Sequence, residues 1–119
     1  MAVYQGRNQE RKSRKKRKAN NGSNPRNTRL DETAEPKNKK ISTTGGNEKT
    51  ILSSTKFANI ADGSKVKKAG IKAIDENPAN RDFKRMNVIT KGAIIETELG
   101  KAVVTSRPSQ DGTVNAKLL

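Results

Sequence analysis

The sequence predicts a mainly β protein, in which a small barrel of short antiparallel strands follows a long basic N-terminal extension that is disordered when free. Three observations support this fold class. Short β-branched runs alternate with turn residues at intervals of about 8–12 residues, a spacing typical of small barrels and sandwiches. Apolar residues at helical spacing are scarce, and the best helix candidate, residues 80–86, is very short. The first 30 residues are strongly basic and almost lack bulky apolar side chains.

The N-terminal segment has the composition of an arm that becomes ordered only on a partner. Residues 1–30 carry ten Lys and Arg against one acid, a net charge of +9 within the +14 of the whole chain. Their few bulky apolar side chains cannot offset the cost of ordering the backbone, about 1–2 kcal/mol per residue. We therefore expect residues 1–40 to form a basic nucleic-acid-binding arm and linker, and residues 41–119 to form the β-barrel domain. Residues 31–40, DETAEPKNKK, are interpreted as the linker.

The expected strands and turns follow one another along the second segment. Turn residues are found at positions 45–47, 62–64, 75–78 and 108–112. Strands are expected at residues 50–57, 66–74, 88–90, 93–99, 102–106 and 113–119. Residues 99–102 are expected to form a tight hairpin. Because side chains alternate along a strand, Ile95, Thr97 and Leu99 should face the core while Glu96 and Glu98 face solvent.

The core is expected to be aliphatic, because Phe57 and Phe83 are the sole aromatic residues after position 40. Both are interpreted as core residues, with a base-stacking platform as the alternative. They would pack with aliphatic side chains at Ile51, Ile60, Ile71, Ile74, Val88, Ile89, Ile94, Val104, Val114 and Leu118. A core of this size is marginal, so we expect modest stability without a partner.

Several classes of chemistry are excluded or disfavoured. The chain has no Cys, which excludes disulfides, thiolate zinc sites and a cysteine nucleophile, and no His, the commonest general base and metal ligand. A nucleotide-binding Gly-Lys-Ser/Thr loop is missing. Glu96 and Glu98 could form a catalytic carboxylate pair, but cross-strand Lys or Arg are their expected partners. We therefore expect no enzyme, no cofactor, no metal and no small-molecule substrate.

The basic surplus points to a polyanionic partner. A net charge of +14 exceeds the magnitude of about 2–8 that suits a small soluble domain. Nucleic acid is the first interpretation and an anionic membrane surface the alternative. No apolar run approaches the roughly 20 residues of a membrane span, and none follows the basic start as a signal peptide requires. We expect a cytosolic protein with nothing to cleave and no membrane partner.

Four blocks of sequence, in order, resemble the archaeal small-subunit ribosomal protein of the eight-e family, which archaea and eukaryotes share. They are QGR at residues 5–7, TGGN at residues 44–47, ENPANR at residues 76–81, and ITKGAIIETELGKAVVTSRPSQDGTVNAKLL at residues 89–119. The lack of a long insertion is typical of archaeal members. The stretch between the first and last blocks departs from the family in two places. The arm is short and lacks a Thr/Ser-Gly-Gly-Arg element, and Thr43 and Glu48 flank the two glycines where the family tends to be basic.

The resemblance implies a barrel-like domain on the body of the small ribosomal subunit in the cytoplasm, in contact with ribosomal RNA and neighbouring ribosomal proteins. A free-standing regulatory RNA-binding protein is the alternative, and it would need a recognition helix, a zinc site or an aromatic code that the sequence lacks. The resemblance and the basic arm together indicate these RNA-binding residues: Gln5, Gly6, Arg7, Arg11, Lys12, Arg14, Lys15, Lys16, Arg17, Lys18, Arg26, Arg29, Arg81, Lys84, Arg85, Lys91 and Arg107.

Overall fold

A computed structural model of the chain describes residues 22–33 and 35–119. Residues 1–21, which include most of the predicted arm, lie outside the described part. Within it, two short helices interrupt nine strands, so the mainly β fold class is confirmed. The elements are β1 (Thr28–Leu30), β2 (Lys37–Ser42), β3 (Glu48–Thr55), β4 (Phe57–Asp62), β5 (Lys65–Glu76), α1 (Arg81–Met86), β6 (Val88–Ile89), β7 (Ile94–Thr97), β8 (Gly100–Val104), α2 (Pro108–Asp111) and β9 (Asn115–Leu118).

Five strands close into a barrel in the order β4-β5-β7-β8-β9. The long strand β5 makes closure possible, because its first half pairs with β4 and its second half with β7. Two register shifts, between Ile71 and Ala73 and between Ile74 and Glu76, interrupt the pairing of β5 with β7. The neighbours are antiparallel except β4 and β9, which run parallel with Asn59 beside Asn115. The predicted barrel of short antiparallel strands is therefore confirmed, with one parallel closure.

The other four strands form a sheet in the order β2-β3-β1-β6. Strands β2 and β3 form a hairpin whose turn contains Gly45 and Gly46, both with positive φ, as the turn signal predicted. Strand β1 lies parallel to β3 on one side and antiparallel to β6 on the other. Both β1 and β2 thus come from the segment interpreted as arm and linker, and position 40 falls inside β2. The division into residues 1–40 and 41–119 stays a prediction.

The core joins the barrel to the sheet. Barrel residues such as Ile60, Ile95 and Val104 are at most 1% exposed, and Leu52 of β3 packs into the same cluster. Eight of the ten predicted aliphatic core residues are buried, while Ile94 and Leu118 are partly exposed. Burial of these side chains is the main stabilising term, at about 25 cal/mol per Å² of apolar surface.

The core prediction was wrong at four positions, Ile94, Leu99, Phe57 and Phe83. Leu99 is 44% exposed. It lies with Glu98 in the two-residue turn of the β7–β8 hairpin, which joins Thr97 to its strand partner Gly100. The turn therefore begins one residue before the predicted hairpin of residues 99–102. Phe57 and Phe83 are both partly exposed and are absent from the buried core.

Both helices have identifiable start and stop signals. Asn80 caps α1, its Oδ1 accepting the Asp82 N–H at 3.0 Å, and Asn87 ends it in the left-handed conformation. Helix α2 begins at Pro108 and ends at Gly112, whose φ is +79°. Neither helix of the described part has the length and apolar character needed to cross a membrane.

Candidate nucleic-acid interface

A basic groove lies on the four-stranded sheet, where the predicted arm joins the fold. It has a volume of about 310 Å³, and its lining includes Arg26, Arg29 and Lys39 with no acidic residue. The pairing of strands explains this convergence. Arg29 lies in β1 and Lys39 in β2, and both strands flank β3, so their side chains border the same strip of β3 around Ser53. We call these three cations and the groove they line the sheet groove.

The cations of the sheet groove are available for an anion. All three side chains are exposed, and none forms an ion pair with another described residue. Arg adds a planar fork that can donate two hydrogen bonds to one phosphate, which Lys cannot do. The groove can therefore bind a phosphate backbone without first breaking an internal salt bridge with these residues.

A second group of cations is carried by α1 and its flanks. Arg81, Lys84 and Arg85 are all exposed on this helix. Asp82 reduces the local positive charge, since its Oδ1 lies 3.8 Å from Nη2 of Arg85. Both side chains of that pair are largely exposed, and such pairs contribute little. Arg85 can therefore exchange Asp82 for a phosphate at small cost.

Asn77 holds the loop that positions α1. Its side chain is buried, with Nδ2 donating to the Val88 carbonyl at 3.1 Å. Its Oδ1 accepts from the Ala79 N–H at 3.0 Å and from the Thr90 hydroxyl at 2.9 Å. From the sequence, residue 77 was predicted only as part of a turn, and this role was not predicted. The Asn-Pro dipeptide is a signal for such a side-chain-stabilised turn.

Lys91 and Arg107 lie at the same end of the barrel as α1. The Gly92 N–H donates to the Val104 carbonyl at 2.8 Å, so the turn carrying Lys91 lies against the end of β8, which leads to Arg107. Arg107 itself is exposed, and its backbone N–H, not its guanidinium, bonds to Asp111. Both side chains therefore extend into solvent at this end.

Strand pairing connects α1 to the sheet groove. Arg29 of β1 is paired with Val88 of β6, the strand that follows α1. The Leu30 N–H also donates to the Asn87 carbonyl at 2.8 Å. The structure therefore places the predicted residues of the sheet groove next to the end of α1.

The remaining predicted residues, Gln5, Gly6, Arg7 and the basic residues at positions 11–18, lie outside the described residues and stay predictions. Lys39 was not among the residues predicted from the sequence. Its signal was visible as the basic run KNKK at residues 37–40, but the run was interpreted as linker because it shows no apolar alternation.

Other lysines are already bound to carboxylates. Lys101 Nζ lies 2.6 Å from Asp75 Oδ2 and 3.9 Å from Glu96 Oε1. Its hydrogen bond to Asp75 lowers the pKa of that carboxyl and raises the pKa of Lys101. Glu96 faces Lys101 directly across the β7–β8 pair, the kind of cross-strand partner that the sequence predicted. We infer that Lys101 contributes little to binding an external anion.

Asp31 forms a similar pair with Lys37 at the edge of the sheet. Hydrogen bonds from the Thr33 side chain and backbone, with one from Lys37, lower the pKa of Asp31 to about 2. Lys37 Nζ lies 3.2 Å from Asp31 Oδ2. Within the described ranges, no group of three or more His, Cys, Asp or Glu residues is arranged to hold a metal ion.

Comparison with known proteins agrees with the resemblance seen in the sequence. A family model described as ribosomal protein S8e matches residues 5–119. The chain is similar to proteins named small ribosomal subunit protein eS8 from three archaea. Identity is 47% with that of Nanoarchaeum equitans, over 82% of this chain and 76% of the relative. It is 51% for Methanocorpusculum labreanum and 53% for Methanococcus maripaludis, over 68% and 70% of this chain and 66% of each relative. The chain belongs to the ribosomal protein S8e family.

Proposed function

We propose that the chain is a structural constituent of the small ribosomal subunit, located in the cytoplasm and bound to ribosomal RNA beside neighbouring ribosomal proteins. Its family supports this role, since the relatives carry the name of a small-subunit ribosomal protein. Family membership also agrees with the expectation of a protein that is not an enzyme.

The observation that carries RNA binding is the sheet groove. Three cations converge there on a strip of β3, the groove lining has no acid, and none of the three is paired with a described residue. Each phosphate that such a cation neutralises releases condensed counterions, which favours binding at low salt. In the sequence, residues 1–21 shortly precede Pro25 and Arg26, which line the groove, so we propose that an RNA strand bound there also contacts the arm.

We propose that the two segments of the chain make different contacts with the RNA. Residues 1–40 supply the arm and the three cations of the sheet groove, and with them most phosphate contacts. Residues 41–119 include the barrel, whose basic end adds further contacts. The proposed RNA-binding residues are Gln5, Gly6, Arg7, Arg11, Lys12, Arg14, Lys15, Lys16, Arg17, Lys18, Arg26, Arg29, Lys39, Arg81, Lys84, Arg85, Lys91 and Arg107. Phosphate contacts of this kind position a protein on RNA but do not read its sequence.

The regulatory alternative needs an element that reads bases in a groove. Within residues 22–33 and 35–119 the longer helix, α1, has six residues, and its N-terminal end is occupied by the cap at Asn80. A recognition helix presents several side chains along a groove, which a helix of this length cannot do. The described fold thus favours placement on a structured RNA.

The test compares two triple variants of the full chain with equal loss of charge. One changes Arg26, Arg29 and Lys39 to Gln, which empties the sheet groove of cations. The matched control changes Lys37, Lys49 and Lys101 to Gln; each of these ammonium groups already bonds to a side-chain oxygen of the protein. Affinity for small-subunit ribosomal RNA is measured against salt for both variants and the wild type.

The groove variant is expected to flatten the plot of log K against log salt by about 2 units, because each lost phosphate contact removes about 0.7–0.9. The control should keep the wild-type slope within about half a unit. Equal slopes for the two variants would refute the sheet groove as a binding site. A truncation test of the arm should begin the chain at Gly22, since a start at Lys40 would delete β1 and half of β2.

A further inference from the structure

The outer face of β4 and its two neighbouring strands carries an aromatic ring and two amides that the proposed function leaves unused. Ala58 and Ile60 point into the core, so the alternate residues of β4 point outward. Their pairing with β5 and β9 assembles one surface, which we call the β4 face. It comprises Phe57, Asn59, Ala61, Val66, Lys68, Gly70, Asn115 and Lys117.

Phe57 stands at the start of this face in a fixed position. The Thr55 hydroxyl accepts the Phe57 N–H and donates to the Phe57 carbonyl, each at 3.2 Å, which holds its backbone. The ring is only partly buried and borders a groove of about 180 Å³. Lys68 Nζ lies 4.6 Å from the ring centroid. Because Lys68 is exposed and flexible, its ammonium can leave the ring for another partner.

Two amides lie beside the ring. Asn59 Nδ2 donates to Asn115 Oδ1 at 3.2 Å on an exposed part of the face. Asn59 Oδ1 and the side-chain amide N–H groups of Asn115 then remain as an adjacent acceptor and donor, the combination that a nucleobase edge complements. Asn59 also borders a second groove, of about 590 Å³, which extends to Lys117. The two grooves thus meet at Asn59 and run along β4.

The charge of the β4 face suits a nucleic acid strand. Lys68 and Lys117 supply positive charge, and no position of this face is acidic. At one border the carboxylate of Glu98 occupies the space above Gly70, where an added Cβ would lie 2.8 Å from its Oε1. A phosphate would therefore be repelled from that border and directed toward the two lysines.

We propose that the β4 face binds an unpaired segment of RNA, with one base stacked on Phe57, its edge bonded to Asn59 and Asn115, and Lys68 moving from the ring to a phosphate. The proposal rests on the proposed function, in that the partner is RNA, but adds contacts to bases where that function uses phosphates alone. The bases must be unpaired, because a duplex hides their faces within the helical stack.

The first test uses the full chain and two matched variants, Phe57→Leu and Phe83→Leu. Phe83 is the other partly exposed aromatic of the described residues, and leucine keeps the apolar bulk at both sites. Fluorescence anisotropy would measure affinity for labelled single-stranded RNA octamers and for a 16-base-pair RNA duplex. Phe57→Leu is expected to weaken octamer binding by about tenfold, since stacking contributes a factor of roughly 5–100 per base. Duplex affinity and the salt slope should stay unchanged.

A second measurement uses the wild type and so does not depend on the variant folding. A 5-bromouridine octamer is cross-linked to the chain by light, and tryptic peptides are identified by mass spectrometry. Cleavage after Lys56 and Lys65 gives the peptide FANIADGSK, residues 57–65, which is expected to carry the cross-link.

Cross-links confined to other peptides, or an equal loss of octamer binding in both variants, would overturn the proposal. If the β4 face fails these tests but the chain binds the duplex with a steep salt slope, the proposed function stands and only base binding at the β4 face is refuted. If neither the octamer nor the duplex binds, both proposals fail.

Discussion

Replacing Asn77 with Ala should destabilise the fold by about 2–5 kcal/mol. The largest part of this stability is lost at the Val88 carbonyl. Val88 is fully buried, and its carbonyl loses the hydrogen bond from the Asn77 amide. An unsatisfied buried group costs about 1–3 kcal/mol. The Ala79 N–H and the Thr90 hydroxyl lie nearer to solvent, so each adds only about 0.5–1 kcal/mol.

Asn80→Ala is the matched control, since the same residue type lies three positions further along and caps α1 on the exposed surface. It should cost about 1 kcal/mol, the usual value for an N-cap. Urea unfolding followed by circular dichroism measures both changes. At about 4 °C per kcal/mol for a chain of this size, Asn77→Ala should also lower Tm by about 8–20 °C. A loss of stability in Asn77→Ala no larger than that in Asn80→Ala would contradict the structural role of Asn77.

Two further changes test other parts of the fold. Gly112→Ala should destabilise the fold more than Gly63→Ala. Both glycines have positive φ, but only at Gly112 would a Cβ lie 2.8 Å from the Thr50 carbonyl oxygen. Equal urea midpoints for the two variants would contradict this. Asp31 has a folded pKa of about 2, below its unfolded value, so its hydrogen bonds with Thr33 and Lys37 stabilise the fold above about pH 4. That contribution is lost as pH falls through 2, so the urea midpoints of the wild type and Asp31→Asn should converge there. A constant difference between the two midpoints from pH 2 to 5 would contradict this role of Asp31.

The candidate site was only partly visible in the sequence. The run KNKK at residues 37–40 showed positive charge, but nothing local indicated that it belongs to β2 and places Lys39 in the same groove as Arg29. Pairing between strands distant in sequence depends on the whole sheet, and a stretch without apolar alternation gives no sign of it. Exposed edge strands of this kind are often rich in lysine.

The sequence by itself determined the fold class and the family. Turn residues such as Gly45, Gly46 and Gly63 fix where strands end, because few residues adopt positive φ, and β-branched runs between them need a sheet. Four ordered blocks then carried the resemblance, and the family match over residues 5–119 confirms it.

The tertiary structure was needed to show which face of β4 is buried and which groups the Asn77 side chain bonds. Alternation along β4 is compatible with Phe57 on either side, and only closure of the barrel turns Ala58 and Ile60 inward and leaves the ring at the surface. Likewise, Asn77 becomes a structural residue only because β6 passes within hydrogen-bond reach of its side chain. Burial and hydrogen bonding depend on neighbours that are distant in the sequence, so a short stretch of sequence does not determine them.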